Sequence, residues 1–150
     1  MMKTMAHSPT VLSAYLNFAA ALAGVLDEPL RQQIAIEVAQ ANSCEYCLSA
    51  HSALGKAAGL SPEEISRSRR SLSQDANRQA GLQFAQQIVV RRGEVSDQDL
   101  AALRQAGYTD AEITAIVAHV ALNIFTNYFN LVAQTEVDFP RVPLALAQHV

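Results

Sequence analysis

Residues 30–61 read LRQQIAIEVAQANSCEYCLSAHSALGKAAGLS and combine two helical patterns with a short polar break between them. In the first pattern, apolar side chains recur at the spacing of one face of an α-helix, and these are Leu30, Ile34, Val38 and Ala41. Asp27 precedes this pattern as a candidate N-cap. The second pattern begins near Ser43 and ends at Gly59, a residue typical of the position that follows a helix. The stretch therefore predicts two consecutive helices, with both cysteines of the chain at the start of the second.

Further helices are indicated on both sides of this stretch. An apolar segment over residues 10–26 precedes it, and three capping-box patterns follow it. The paired residues are Ser61 with Glu64, Ser96 with Asp99, and Thr109 with Glu112. The last pair opens a long helix over residues 110–134, apolar nearly all round, for which we predict a central position or a subunit interface. Because no strand pattern is present, the sequence predicts one all-α domain over residues 1–150 with six or seven helices.

Composition sets the broad class of the protein. Half of the 150 residues are apolar and 17% are charged, a balance typical of a folded domain rather than a disordered chain. The net charge is −3 and no basic stripe is visible, which argues against a nucleic-acid partner. Ser13 and Asn17 interrupt the N-terminal apolar run, and no segment reaches the roughly 18 uninterrupted apolar residues of a membrane span. We therefore expect a cytoplasmic protein without a signal peptide or a membrane span.

The chemistry of the chain is concentrated in CEYCLSAH, residues 44–51. On a helix at about 100° per residue, Cys47 lies about 60° from Cys44, and His51 lies within about 20° of Cys44. All three side chains therefore share one face. We expect Cys44 in the first helical turn, where free backbone N–H groups and the helix dipole stabilise a thiolate. The arrangement predicts a redox dithiol with a histidine as its acid or base.

Other interpretations of the cysteine pair fit the sequence less well. Structural zinc needs four ligands, and this motif supplies three. The remaining histidines have no paired spacing, and these are His7, His119 and His149. Haem attachment requires histidine directly after the second cysteine, where Leu48 stands, and a thioredoxin fold requires strands around the motif. Two inert buried thiols stay a simple alternative. We predict a redox dithiol that binds no metal and no cofactor.

The stretch over residues 30–61, together with GYTDAEITAIVAHVALNIFTNYFNLVAQTEVDFP at residues 107–140, resembles the AhpD-like alkylhydroperoxidases of the carboxymuconolactone decarboxylase superfamily. The resemblance spans roughly residues 25–140. It implies an all-helical fold, a homo-oligomer such as a trimer or hexamer, and thiol peroxidase chemistry. The substrate would be a hydroperoxide, and a lipoyl- or thioredoxin-like dithiol would be the reductant. Two alternatives stay open, a decarboxylase of the carboxymuconolactone type and a non-catalytic, redox-sensing helical oligomer.

The resemblance also implies roles for individual residues. Cys47 would be the peroxidatic cysteine, Cys44 the resolving cysteine, and His51 part of a proton relay. The helix dipole favours Cys44 as the attacking thiol, so the order of attack stays open. The family glutamate falls twelve residues before the first cysteine, where this chain has Gln32. Glu37 is the one acid in the middle of that helix, and we expect it either to complete the relay or to face solvent.

Polar residues elsewhere in the apolar helices are further candidates for the site. His119, Asn123 and Asn127 recur every four residues along the last helix. This stripe would border the cysteine pocket, pair across a subunit contact, or include an ordinary core histidine. Tyr46 points about 160° away from the Cys44–His51 direction, so we expect it to contact a neighbouring helix or subunit.

Overall fold

The structure is a computed structural model that describes residues 1–144, and this part of the chain contains eight α-helices and no β-strand. The helices are α1 (Met2–Met5), α2 (Pro9–Leu22), α3 (Glu28–Ala41), α4 (Glu45–Ala57), α5 (Pro62–Ser68), α6 (Ala76–Val90), α7 (Asp97–Gln105) and α8 (Asp110–Val132). The all-α prediction is confirmed. The helix beyond the predicted number is α1, a single turn that no sequence pattern indicated and that buries Met5.

Helix α3 is the centre of the fold. It packs against α4, α5, α6 and α8, and every residue from 33 to 39 is buried. One face contributes Leu30, Ile34 and Val38 to the main core, which α6 and α8 complete. Ile36 and Ala39 lie in a second cluster that contains both cysteines. Because α3 has a core on two sides, its position determines where α4 and the cysteines lie.

Helix α8 is long and apolar, but only one side of it is covered. It packs on α2, α3, α4 and α6, whereas Phe125 and Tyr128 are 42% and 56% exposed. Helix α3 rather than α8 therefore has the central position in the fold. The other alternative for α8, a subunit interface, stays a prediction. By length and composition α8 is able to cross a membrane, with a mean hydropathy of 1.4 over its most apolar window. The core helix of a soluble protein passes the same test, and one side of α8 packs on the four helices named above.

Two of the three predicted capping boxes form. The boxes that begin at Ser96 and Thr109 are both complete. Ser61 accepts a hydrogen bond from the backbone of Glu64 at 3.2 Å, but the Glu64 carboxylate does not return to Ser61. It accepts instead from the Ser73 hydroxyl at 2.7 Å, in the connection between α5 and α6. A tertiary contact has therefore replaced half of this capping box.

The predicted N-cap of α3 and the predicted end of α4 are the next two residues to compare with the structure. Asp27 occupies the N-cap position of α3 without a side-chain cap bond, and it pairs with Arg78 at 2.7 Å. Gly59 follows α4 with a φ of 91°, a left-handed conformation that glycine adopts without strain, so its predicted role is confirmed.

Candidate active site

The turn between α3 and α4 places both cysteines in the second core cluster. Ser43 has a φ of 55°, and this left-handed residue reverses the chain after α3. The backbone N–H of Cys44 then donates to the carbonyl of Ala39 at 2.9 Å and closes the turn. A left-handed conformation costs a serine roughly 1 kcal/mol, which the packing of α4 against α3 offsets.

Cys44 is the N-cap of α4 rather than a residue of its first turn. Its φ of −93° and ψ of 93° are extended, which corrects the predicted helix start near Ser43. In this position its Sγ accepts a hydrogen bond from the backbone N–H of Cys47 at 3.4 Å. Cys47 and His51 lie four residues apart on one face of α4, so their side chains are neighbours. Both cysteines are buried, at 1% and 3% exposed.

Hydrogen bonding makes Cys47 the more acidic of the two thiols. The Cys44 thiol donates to Cys47, and this contact is the main reason that the pKa of Cys47 falls below its usual range, against the opposing effect of burial. The side-chain amides of Asn130 and Asn127 lower the pKa of Cys47 further. The Asn130 Nδ2 lies 3.2 Å from the Cys47 Sγ. The pKa of Cys44 is raised, since ionising Cys44 would remove the proton that it donates. This order is the opposite of the helix-dipole expectation.

A chain of hydrogen bonds to α3 holds the His51 ring in place. The Nδ1 of His51 lies 2.8 Å from the Oε1 of Gln32, and the Nε2 of Gln32 donates to the Glu28 carboxylate at 2.7 Å. Because a carboxylate only accepts, the amide oxygen of Gln32 is the atom that faces His51. His51 therefore carries its proton on Nδ1, and Nε2 is free to accept. Burial lowers the pKa of His51 to about 4, so the ring is neutral at pH 7.

The structure does not bring Glu37 together with these residues. Glu37 is 3% exposed, and its Oε2 has no hydrogen-bond partner. Burial raises the pKa of Glu37 to about 8, and only the nearby Ser71 opposes this rise. Gln32 takes the place beside His51, and Glu37, about 140° further around α3, faces the connection between α5 and α6. Neither alternative predicted for Glu37 describes this placement, since the carboxyl is remote from His51 and also buried.

A mostly apolar cavity of 310 Å³ opens beside the reactive pair. Cys47 and His51 form its polar part together with Thr126 and Asn130. Apolar and aromatic side chains make most of the remaining wall, among them Met1, Met2, Tyr15, Tyr46, Ala50, Leu54 and Phe139. Tyr46 thus lines the cavity, and its ring packs edge-on against Phe139 at a centroid distance of 5.8 Å. The observed partner of Tyr46 is therefore the segment after α8 of its own chain, and not the neighbouring helix or subunit that the sequence predicted.

The polar stripe on α8 reaches the cysteines only at its C-terminal end. His119 and Asn123 are buried, and the Asn123 amide donates within the helix to the carbonyl of His119 at 2.8 Å. Asn127 accepts from Asn42 at 3.0 Å and acts on Cys47 as described above. Sequence reasoning missed Asn130, whose amide contacts Cys47 directly. The signal was present, because residue 130 follows Asn127 by three residues and lies on the same helical face.

No three His, Cys, Asp or Glu side chains within residues 1–144 are arranged to hold a metal ion. His149 lies outside these described residues. In this part of the chain, the chemistry available at the site is that of the dithiol, the neutral imidazole and the surrounding amides.

The fold and the buried dithiol define an AhpD-like, all-helical protein. The chain belongs to the carboxymuconolactone decarboxylase family, whose family model matches residues 9–87. No curated protein sequence matches the chain. A peroxidase-related protein with an alkylhydroperoxidase AhpD core from Ralstonia eutropha JMP134 is 27% identical, with a TM-score of 0.79 over 86% of this chain and 71% of that chain.

Two further solved structures share the fold. A peroxidase-related protein from Silicibacter sp. TM1040 is 23% identical, with a TM-score of 0.79 over 94% of this chain and 75% of that chain. A variant of the debrominase Bmp8 in complex with 2,3,4-tribromopyrrole is 18% identical, with a TM-score of 0.80 over 91% of this chain and 75% of that chain. At these identities the likeness shows the fold alone.

Proposed function

We propose that this protein is a thiol-dependent hydroperoxide reductase that cycles between the Cys44–Cys47 dithiol and its disulfide. The observation that carries the proposal is the environment of Cys47. Its thiolate is stabilised by the Cys44 thiol and by the Asn130 amide, 3.2 Å away, and it lies beside the neutral His51 on an apolar cavity. A thiolate is the nucleophilic form of cysteine, and an adjacent base supplies it.

The oxidative step follows from these positions. Cys47 transfers its proton to Nε2 of His51, and the thiolate attacks the terminal oxygen of the hydroperoxide. The O–O bond breaks, Cys47 becomes a sulfenic acid, and the leaving alkoxide takes the proton from His51 to depart as an alcohol. Gln32 and Glu28 carry no proton in this step; they hold His51 in the tautomer that leaves Nε2 free.

Cys44 then completes the disulfide. Its sulfur attacks the sulfenic sulfur of Cys47, and the hydroxyl group leaves with the Cys44 proton as water. An external dithiol, of the lipoyl or thioredoxin type, reduces the disulfide by exchange. We place this cycle in the cytosol, where the reducing environment returns exposed disulfides to thiols. The apolar wall of the 310 Å³ cavity favours an alkyl hydroperoxide over hydrogen peroxide.

The proposal is tested by mixing reduced protein with a limiting amount of tert-butyl hydroperoxide while free thiols and peroxide are followed together. We expect two thiols to be lost for each peroxide consumed, and repeated turnover once dihydrolipoamide is added. Thiols that stay unreacted for minutes would refute the peroxidase. The decarboxylase would then be tested in a variant that lacks both cysteines, and slow oxidation without turnover would favour a redox sensor.

We also propose that the protein works as a homo-oligomer. Helix α2 has no buried residue, and it exposes Leu16 and Phe18 at 47% and 42%. The uncovered face of α8 adds Phe125 and Tyr128. Two adjacent helices with exposed aromatic side chains are typical of a subunit interface. Light scattering is expected to give a trimer or a hexamer, and a monomer at micromolar concentration would contradict this.

A further inference from the structure

Two cavities border the cysteine pair, one beside each cysteine. The first, described above, contains Cys47 and His51 but not Cys44. The second has a volume of 420 Å³ and contains Cys44 but neither Cys47 nor His51. Tyr46 and Asn130 line both cavities. The proposed peroxidase needs only the first cavity for its oxidative step, so the second has no role in that step.

The second cavity differs from the first in its chemistry. It lies between the start of α4, the end of α8 and the segment over residues 134–144. Charged side chains line it, namely Glu45, Glu136 and Arg141, and the Arg141 guanidinium pairs with the Glu45 carboxylate at 3.0 Å. The first cavity has no Asp, Glu, Lys or Arg in its wall. The two routes to the dithiol therefore suit different reactants, an apolar hydroperoxide and a polar thiol compound.

The chemistry of thiol–disulfide exchange also favours a reductant that approaches the cysteine pair from a different side than the hydroperoxide. The attacking thiolate approaches along the S–S axis, on the side opposite the sulfur that leaves, and a leaving thiol of lower pKa leaves faster. In the Cys44–Cys47 disulfide, Cys47 is the better leaving group, because the Asn130 amide lies 3.2 Å from its sulfur and stabilises its thiolate. Attack is therefore favoured at Cys44, from the side away from Cys47. The cavity that reaches Cys44 and excludes Cys47 is the second one.

We propose that the reductant enters through the second cavity and attacks Cys44, while the hydroperoxide enters through the first and meets Cys47. The inference rests on the proposed peroxidase cycle and specifies its reductive half. One thiolate of an external dithiol bonds to the Cys44 sulfur, the S–S bond breaks, and Cys47 leaves as the thiolate. The second thiol of the reductant then displaces Cys44 from the mixed disulfide. The reductant leaves as a disulfide, and its two protons pass to the cysteine pair.

Two leucines provide a matched pair of variants for a test of this route. Leu131 on α8 lines only the second cavity, and Leu54 on α4 lines only the first. The two side chains are equally accessible, at 46% and 45% exposed, so a tryptophan at either position narrows one cavity without overpacking a core. Leu131→Phe and Leu54→Phe form a milder second pair in case either tryptophan variant fails to fold.

Each half-reaction is measured separately. Loss of thiols is followed with limiting tert-butyl hydroperoxide, and reduction by dithiothreitol is followed on disulfide formed with diamide, which needs no peroxidase activity. We expect Leu131→Trp to slow reduction by at least about tenfold and to leave oxidation within about twofold, because access limits exchange. Leu54→Trp is expected to do the reverse. After reaction of the disulfide with 2-mercaptoethanol and acid quenching, peptide mapping is expected to find the mixed disulfide on Cys44.

Different outcomes would contradict the proposed route of the reductant and the proposed peroxidase function. If Leu54→Trp slows both half-reactions and Leu131→Trp slows neither, a single cavity serves both reactants and the inference is wrong. A mixed disulfide on Cys47 would also overturn it. If the wild-type thiols ignore hydroperoxide but the diamide-formed disulfide shows the expected dependence on Leu131, the peroxidase proposal fails while the reductant route is supported.

Discussion

Replacing Cys47 with serine is expected to abolish hydroperoxide turnover, with a loss of at least about 1,000-fold in rate, as is typical when a catalytic nucleophile is removed. A serine hydroxyl does not ionise near pH 7, so the Asn130 amide and the Cys44 thiol would have no anion to stabilise. The measurement is steady-state consumption of tert-butyl hydroperoxide with dihydrolipoamide as reductant. Circular dichroism checks that the variant is folded.

The Cys44→Ser variant is the matched control, and it separates attack from resolution. It keeps Cys47 and the Asn130 contact, so we expect one thiol to be lost per peroxide and a sulfenic acid to persist on Cys47, detectable with dimedone. The serine hydroxyl at this position is also a hydrogen-bond donor to Cys47, so this single event is expected to proceed at a rate close to that of the wild type at pH 7. If Cys47→Ser reacts with peroxide and Cys44→Ser is inert, the two cysteines have the opposite roles.

The Glu37→Gln variant is expected to gain about 4 kcal/mol of stability relative to the wild type between pH 5 and pH 9. The pKa of Glu37 is about 8 in the folded protein, where burial penalises the charge, and close to 4.5 in the unfolded chain. Between these values the folded state holds a proton that the unfolded state has lost, so wild-type stability falls as pH rises. The decrease levels off above pH 8. Glutamine stays neutral, so the variant lacks this decrease.

Urea denaturation of both proteins at pH 5, 7 and 9 measures this effect. The two curves are expected to be close at pH 5 and to separate steadily up to pH 9. Other groups that titrate in this range are common to both proteins, so the difference between the curves reports Glu37. Equal stabilities at pH 9 would show that the Glu37 carboxyl ionises without cost, which the burial of its unpartnered Oε2 argues against.

Activity measurements on Glu37→Gln also test the proton relay. Since Glu37 lies away from His51, peroxidase activity at pH 6.5 is expected to stay within about twofold of the wild type, as for most changes outside a site. Gln32→Leu is the comparison variant, because it removes the acceptor that orients His51, and a loss of about tenfold or more is expected. The reverse pattern would return Glu37 to the relay.

Local signals determined most of the fold. The capping boxes at Ser96 and Thr109 could be predicted because their partners lie three residues away and stay in the cap, although Arg91 also binds the Asp99 carboxylate at 3.0 Å. Glu64 shows the limit, since the Ser73 hydroxyl takes its carboxylate from the cap. The short helix α1 carries no pattern of its own, and its burial of Met5 depends on packing that sequence periodicity does not describe.

For the candidate site, the sequence by itself determined which residues share the face of α4, because helical geometry fixes the spacing of Cys47 and His51. The tertiary structure determined the hydrogen bonds and the pKa of each residue. Asn130 meets Cys47 across 83 positions of sequence, and Gln32 rather than Glu37 meets His51 because α3 presents that side to α4. Thiol and imidazole pKa values depend on burial and on hydrogen bonds from other helices. Those contacts exist only once α3, α4 and α8 are packed together.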